Sequence, residues 1–439
     1  MAFLDPVLET APRDKLEKIQ WQKLKRLLEI VFEKNPFYQR KFENYNVKLA
    51  DIKNLSDLTK LPFTTKLEFQ EDQEQHPPFG TNLSEPLENY VQYHQTTGTT
   101  GKPLKWLDTT ESWQWRARCI AHVFRAAGLG PGDIFMLPFN FGPYTAFWGA
   151  YEAAQYLGIL TIPTGGWDTK QRLRCLLENK VTAIATTPTY ARRMAEVAEE
   201  EGIELRKSSV RAILLAGEPG GMIPSIRKKI EEAWGAEVYE YPGLTEVGTY
   251  AFTCEYSKET MSLHVIESEF IVEVIDPETG EVVPEGTIGE LVITNLGRSC
   301  SPAIRFRTGD LVKLKRGICP CGRTFVMLEG GVLGRRDDML LVRGVNVYPS
   351  AIANIIEALL PPGQEYQIIC YSDPEGRDAV KVQIELAPDQ ENLQQLIAEE
   401  IKLRLNLRLE VEAVPIGKLP RAEYKSKKVL DLRAKVQKV

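Results

Sequence analysis

The 439-residue sequence predicts an α/β protein carrying an α+β appendage. Its large N-terminal domain would consist of sheets covered by helices with a β-rich part, and a small α+β domain would follow at the C-terminus. Three observations carry this reading. Between residues 116 and 250 short apolar runs alternate with amphipathic stretches, the pattern of a parallel sheet covered on both faces. Beyond residue 260 the texture changes to strands separated by turn residues. From residue 350 the order is helix, strand, strand, helix, strand, enough for an independent domain of about one hundred residues.

Bulk composition narrows the class. With 43% hydrophobic and 26% charged residues the chain has the make-up of a soluble globular protein. A net charge of -6 and a pI near 5.6 argue against nucleic-acid or anionic-membrane binding. No apolar run approaches membrane-spanning length. The opening residues carry acids where a secretory signal has basic and then apolar ones, so the expected location is cytoplasmic. Seven cysteines, an odd number spread thinly, suit reduced thiols or a metal site better than a disulfide scaffold.

In order along the chain, Leu16, Ile19, Leu24, Leu27, Leu28 and Val31 fall at helical spacing, predicting an amphipathic helix that stops before Asn35-Pro36. The alternating region supplies helices at 116–127, 145–156, 171–177, 190–200 and 222–234. Strands are expected at 134–138, 159–163, 182–186, 211–215 and 237–241. In such sheets ligands bind at the carboxyl ends of the strands. The β-rich part follows, with strands at 270–275 and 289–294. The C-terminal domain would place helices at 350–360 and 391–405 and strands at 367–371, 380–386 and 410–414.

Residues 95–103 read Gln-Thr-Thr-Gly-Thr-Thr-Gly-Lys-Pro. Gly98 and Gly101 let the backbone approach a ligand closely, and Thr96, Thr97, Thr99 and Thr100 crowd donors into one small volume, the composition of a polyphosphate clamp. Thr96 stands where the P-loop of nucleotide hydrolases needs glycine, and Pro103 where it needs Ser or Thr. Leu104, Lys105 and Trp106 then alternate as in a short strand.

A strand, a Thr/Gly loop and a second strand resemble the phosphate loop of the adenylate-forming enzymes. Further motifs agree in register. Asn35-Pro36-Phe37-Tyr38 and Leu61-Pro62-Phe63-Thr64-Thr65-Lys66 resemble the opening of phenylacetate-coenzyme A ligases. Ala216-Gly217-Glu218-Pro219, Glu240-Tyr241-Pro242-Gly243-Leu244-Thr245-Glu246, Arg305-Phe306-Arg307-Thr308-Gly309-Asp310 and Pro420-Arg421-Ala422-Glu423-Tyr424-Lys425 are similar to later segments of the same family. The resemblance covers residues 15–431.

The resemblance implies an ATP-dependent acid-thiol ligase of the acyl-CoA synthetase superfamily. A carboxylate would attack the α-phosphate of ATP, giving an acyl-adenylate and pyrophosphate, and coenzyme A would then displace AMP. Lys425 would be the adenylation cation, with Lys428 a second base. Thr97, Thr99, Thr100 and Lys102 would hold phosphate, Thr245 would touch phosphate, and Glu246 would coordinate magnesium. Residues 216–219 and 240–243 would hold adenine, with Glu240 near the base. Pro242 replaces the family's stacking tyrosine, for which Tyr241 would compensate. Asp310 and Arg335 would bind ribose. Domains are expected at 1–334 and 335–439, with the hinge at Asp337 and Gly344 lining a pantetheine tunnel.

Phe139, Phe141, Tyr144 and Phe147 would build the acyl pocket, and four rings in one loop suit a flat aryl acid. A carrier protein or an amine is an alternative acceptor, and a nucleotide-binding protein without catalysis is an alternative function, raised by Pro242 and Tyr424. A homodimer is an allowed assembly. Cys254, His264, Cys319 and Cys321 make a closed set of three thiolates and an imidazole, appropriate to structural zinc. The competing reading of these residues is buried thiols beside an unrelated histidine.

Overall fold

A computed structural model describes residues 2–96, 103–336, 340–342, 345–372, 378–405, 407–421 and 428–433. The first long helix, Arg13–Lys34, buries Leu16, Leu24, Leu27, Leu28 and Val31, the apolar stripe its spacing requires. It ends at Asn35, whose side chain accepts from the Tyr38 amide at 3.1 Å and opens the helix Pro36–Asn44. The turn that the family resemblance implies at 35–38 is therefore a helix start, because Asn at the cap and Pro in the first turn pre-set helical geometry.

Five strands, Ile134–Leu137, Leu160–Pro163, Ala183–Thr186, Ala212–Leu215 and Glu237–Glu240, form one parallel sheet. Taken in chain order they lie second, first, third, fourth, fifth across the sheet. Alternate residues of a strand point to opposite faces. Ala183 and Ala185 thus join the larger core, while Ile184 joins a second one with Ile213, Leu215 and Trp234. Both faces being covered, Ala183–Thr186 and Ala212–Leu215 are buried at every position. The covering helices are Thr110–Ala126, Thr145–Tyr156, Thr169–Glu178, Pro188–Glu200 and Pro224–Trp234. The first begins six residues earlier than periodicity alone predicts, because the Thr109 hydroxyl caps it by accepting from Ser112.

Strands Phe270–Ile275, Ile288–Asn295 and Phe306–Lys315 run antiparallel, and Gly334–Arg335 pairs with Asp310–Leu311. Ser262–Val265 and Met327–Glu329 continue this sheet. The C-terminal part packs Ile352, Ile356, Ile397 and Ile401 of the helices Pro349–Leu359 and Glu391–Leu405 onto Ile368, Val382 and Ile384 of its own sheet. That sheet includes Val429–Asp431, parallel to Tyr366–Ser372, a strand too short to show periodicity in the sequence. Arg192 pairs with Glu357 at 3.2 Å, and the Lys229 ammonium donates to the carbonyls of Glu357 and Leu360 at 2.6 and 2.8 Å. These contacts seat the C-terminal part on the helices Pro188–Glu200 and Pro224–Trp234. Among the described residues no helix is long and apolar enough to cross a membrane.

Candidate active site

The loops after the last three parallel strands lie side by side. Ala216 N donates to Thr186 O at 3.1 Å and Tyr241 N to Leu215 O at 3.0 Å. Gly217 has a φ of +88°, a left-handed conformation that favours glycine, and the Glu218 carboxylate accepts from Thr189 N at 2.8 Å. Pro219 and Gly217 are exposed and Pro242 is half-buried.

One expectation is corrected here, that Tyr241 would take the place of the stacking tyrosine, while Glu240 lies against the 216–222 loop. The buried Glu240 carboxylate packs against the continuation of the 216–219 loop, accepting from Gly220 N and Met222 N at 3.1 and 2.9 Å. Three successive residues bend their amides around it, and its pKa is raised, chiefly by burial. A Cβ at Gly221 would lie 2.7 Å from Glu240 Cβ, so the arrangement needs glycine there. Tyr241, only 2% exposed, is part of the larger core. Its ring follows strand alternation inward and does not replace the missing stacking tyrosine.

Gly243–Leu244 pairs with Gly248–Thr249, and the hairpin presents Thr245 and Glu246. Two buried arginines hold its backbone. Arg116 donates to Thr245 O at 2.6 Å, and Arg298 to Glu246 O at 3.1 Å. Arg298 also grips both oxygens of Asp108 at 2.6 and 2.9 Å. Asp108 lies on the strand Lys105–Thr109, the exit of the Thr/Gly loop, so loop and hairpin are tied through one ion-pair network. Burial lowers the Arg116 pKa to about 10 and that of the adjacent His94 to about 4. His94 stacks on Trp113 at 4.8 Å. Sequence reasoning missed this network. Its one visible signal was Arg116 between Trp113 and Ile120 at helical spacing, a charge on an apolar face.

The Glu246 carboxylate is nearly buried and has the Lys66 ammonium 3.4 Å away. It offers a hard oxygen donor beside a second carboxylate, Asp310, whose charge it opposes. That donor chemistry fits a divalent cation shared with substrate phosphates. Asp310 pairs in register with Arg335, whose guanidinium reaches it at 2.7 Å and Thr308 O at 3.1 Å. Burial raises Asp310 to about 6 against the opposing pull of Arg335. The Thr96 hydroxyl accepts from Leu104 N at 3.0 Å, closing the base of the Thr/Gly loop. Thr97, Gly98, Thr99, Thr100, Gly101, Lys102, Asp337, Gly344 and Lys425 lie outside the described residues.

In the aromatic loop Phe139 stacks on Phe147 at 3.7 Å, and Phe141 meets Trp148 edge-on at 4.7 Å. Phe147 is buried, Phe139 and Phe141 half-buried and Tyr144 exposed. A side chain at Gly165 would begin 3.1 Å from the Phe141 ring, so the loop after Leu160–Pro163 packs closely against these rings.

Away from that loop, the ligand atoms of Cys254, His264, Cys319 and Cys321 all lie within 4.8 Å of one another, and all four residues are buried. A tetrahedron with metal–sulfur bonds of about 2.3 Å and metal–nitrogen bonds of about 2.05 Å has S–S edges near ~3.8 Å and S–N edges near ~3.5 Å. Cys254 Sγ stands 3.8 Å from Cys319 Sγ, and Cys321 Sγ 3.5 Å from His264 Nε2. The donor set therefore fits zinc in chemistry, and these two edges match its spacing. Hydrogen bonds from the Cys254 and Cys319 thiols hold Cys321 low, with His264 adding to the effect. Gly322, at φ +82°, donates its amide to Cys319 O at 2.8 Å and closes the turn that carries the two thiols.

A model of the AMP-binding enzyme family matches residues 31–297, and one of the AMP-binding enzyme C-terminal domain matches residues 344–433. The chain is 34% identical to the phenylacetate-coenzyme A ligase of Thermus thermophilus over 98% of this chain and 99% of the relative. It is 32% identical to that of Escherichia coli, covering 98% of each. Among solved structures, a 2-hydroxyisobutyryl-CoA ligase in the postadenylation state superposes with a TM-score of 0.91 at 29% identity, covering 98% of this chain and 92% of that one. The same ligase in the thioesterification state gives 0.74 at 30% identity, with the same coverage. The chain belongs to the AMP-binding enzyme family, whose fold is that of the adenylate-forming ligases.

Proposed function

We propose that the chain activates an aryl carboxylic acid of the phenylacetate kind and transfers it to coenzyme A. That it is an ATP-dependent acid–CoA ligase rests on full-length similarity to curated ligases of that class. The aryl substrate is carried by one observation, the half-buried rings of Phe139 and Phe141 beside Phe147 at the carboxyl edge of the parallel sheet. A flat apolar acid fits against such faces. A short branched acid is the second reading, favoured by superposition on the 2-hydroxyisobutyryl-CoA ligase.

Thr97, Thr99, Thr100 and Lys102 hold the polyphosphate, and Thr245 touches it. Gly217, Glu218 and Pro219 border the adenine beside Pro242. Asp310 accepts from the ribose hydroxyls, with Arg335 keeping that carboxylate oriented. Magnesium, held by Glu246 and the phosphates, would neutralise charge on the nucleotide. Lys425 stabilises charge at the α-phosphate, work suited to a cation and not to a covalent nucleophile. The C-terminal domain, from about residue 335, turns at Asp337, withdrawing Lys425 and bringing Gly344 to the pantetheine path. The higher TM-score against the postadenylation form supports a setting that precedes this turn. The four-residue Cys/His set holds structural zinc, which braces the β-rich part. A cytoplasmic location and a homodimer complete the reading.

The test is pyrophosphate release across aryl and aliphatic acids, with coenzyme A, a phosphopantetheine carrier and simple amines as acceptors. Aryl acids with coenzyme A are expected to turn over fastest. Preference for a carrier or an amine overturns the acceptor, and no release with any acid leaves a nucleotide-binding protein. Lys425→Ala is expected to abolish adenylation while sparing thioester formation from presynthesised acyl-adenylate. Equal loss in both steps would remove the domain-alternation assignment.

A further inference from the structure

The ion pair between Lys66 and Glu246 joins a lysine with no role in the reading above to the carboxylate assigned to the metal. The Lys66 side chain is 40% exposed and Glu246 only 6%, with 3.4 Å between ammonium and carboxylate. At that distance the contact is an ion pair longer than an ordinary hydrogen bond. The ammonium sits at the mouth of the site, where it can change partners.

The backbone of Lys66 is held from three sides. Thr64 N donates to Arg305 O, and Arg307 N donates to Thr64 O, both at 2.9 Å, so the segment bridges to the strand that carries Asp310. The Thr65 hydroxyl and the Glu68 carboxylate form a capping box that starts the helix Lys66–Gln75. Further along that helix, the Gln73 amide donates to Lys105 O at 2.7 Å and accepts from Lys105 N at 3.0 Å. Lys105 opens the strand leaving the Thr/Gly loop. One short segment therefore ties together the ribose strand and the exit of the phosphate loop, and presents a cation to the Glu246 hairpin.

We propose that Lys66 is a polyphosphate-binding cation of the large domain. In the free protein it neutralises Glu246, and when the nucleotide and its metal arrive it passes to the β- and γ-phosphates. The exchange follows from charge. Lys66 would be repelled from Glu246 by a divalent cation held there, and the phosphates that come with that cation would be the strongest anion within its reach. In adenylation a carboxylate oxygen forms a bond to the α-phosphorus while the bond from that phosphorus to the bridging oxygen breaks. The electron pair stays on the departing pyrophosphate and no proton is transferred. Lys66 meets that growing charge, and it remains in place when the C-terminal domain withdraws Lys425. The proposal rests on the ligase reading.

Calorimetric titration with magnesium pyrophosphate, and with AMP as a ligand lacking the outer phosphates, tests it in wild type, Lys66→Gln, Lys66→Met and Lys66→Arg. Loss of one charge-assisted contact predicts roughly tenfold or weaker pyrophosphate binding in the Gln and Met variants. AMP affinity should stay within about twofold and Arg should retain most of the pyrophosphate affinity. Thioester formation from presynthesised acyl-adenylate should be unchanged. Pyrophosphate affinity equal to wild type in the Gln and Met variants overturns the proposal, as does an equal loss of AMP affinity, which would mean a collapsed site. Wild-type protein without carboxylate-dependent pyrophosphate exchange would refute the ligase reading, while the titrations would still judge Lys66.

Discussion

Arg298 and Asp108, 190 positions apart in sequence, form a fully buried two-point ion pair at 2.6 and 2.9 Å. The same guanidinium reaches the carbonyl of Glu246. Charges this deep in a protein are tolerated only when paired and hydrogen-bonded. Here the pairing also fixes where the hairpin of Thr245 and Glu246 sits relative to the strand Lys105–Thr109.

Arg298→Met should therefore destabilise the fold by about 3–5 kcal/mol, because it leaves Asp108 buried without its main partner. Urea unfolding measures this. Arg298→Lys keeps the charge but not the fork, and should raise the KM for ATP while the CoA-dependent half-reaction is spared. A loss below about 1 kcal/mol for Arg298→Met would show that Arg116 alone satisfies Asp108.

Glu357→Gln removes the carboxylate that Arg192 and Lys229 share across the two parts of the chain. The variant keeps the Lys229 bonds to the carbonyls of Glu357 and Leu360 but loses both ion pairs, so the C-terminal part should be held less firmly in this setting. Adenylation is expected to slow severalfold while thioester formation from presynthesised acyl-adenylate holds or quickens. Small-angle scattering should show a larger radius of gyration for the variant. An unchanged ratio of the two half-reactions would mean that the ion pair does not bias the arrangement.

Metal analysis of purified protein should find about one zinc per chain, and Cys319→Ser should lose it together with several degrees of thermal stability. The expectation rests on edges of 3.8 and 3.5 Å. Metal-free, fully stable protein with freely titrating Cys319 and Cys321 would make the cluster three buried thiols beside a histidine.

Asp310 supplies a pH test. Its folded-state value, about 6, is above the ordinary one. Its contribution to stability is thus present below the ordinary carboxylate range and lost as pH rises through about 6. The proposed ribose contact runs the other way, since only the ionised carboxylate offers two charged acceptor oxygens to the ribose hydroxyls. ATP affinity should fall about fourfold between pH 7.5 and 5.5, and Asp310→Asn should bind weakly with a flat profile. A steep profile in the Asn variant would assign the titration to another group.

Local order along the chain was legible in the residues alone. Helical spacing from Leu16 to Val31 placed the first long helix, and the alternation from 134 to 241 placed all five parallel strands. The order of the motifs marked the hairpin of Thr245 and Glu246, and residue chemistry assembled Cys254, His264, Cys319 and Cys321. These features depend on periodicity, turn chemistry and donor type, which neighbouring residues determine. What each side chain faces was decided only when distant segments met. Lys66 reaches Glu246, Arg298 reaches Asp108, and Glu240 and Tyr241 turn inward. A partner 180 or 190 residues away leaves no period in the sequence. Whether a charge is paired or a ring is offered to a ligand depends on which surfaces the packed sheets bring together, and that is a property of the tertiary structure.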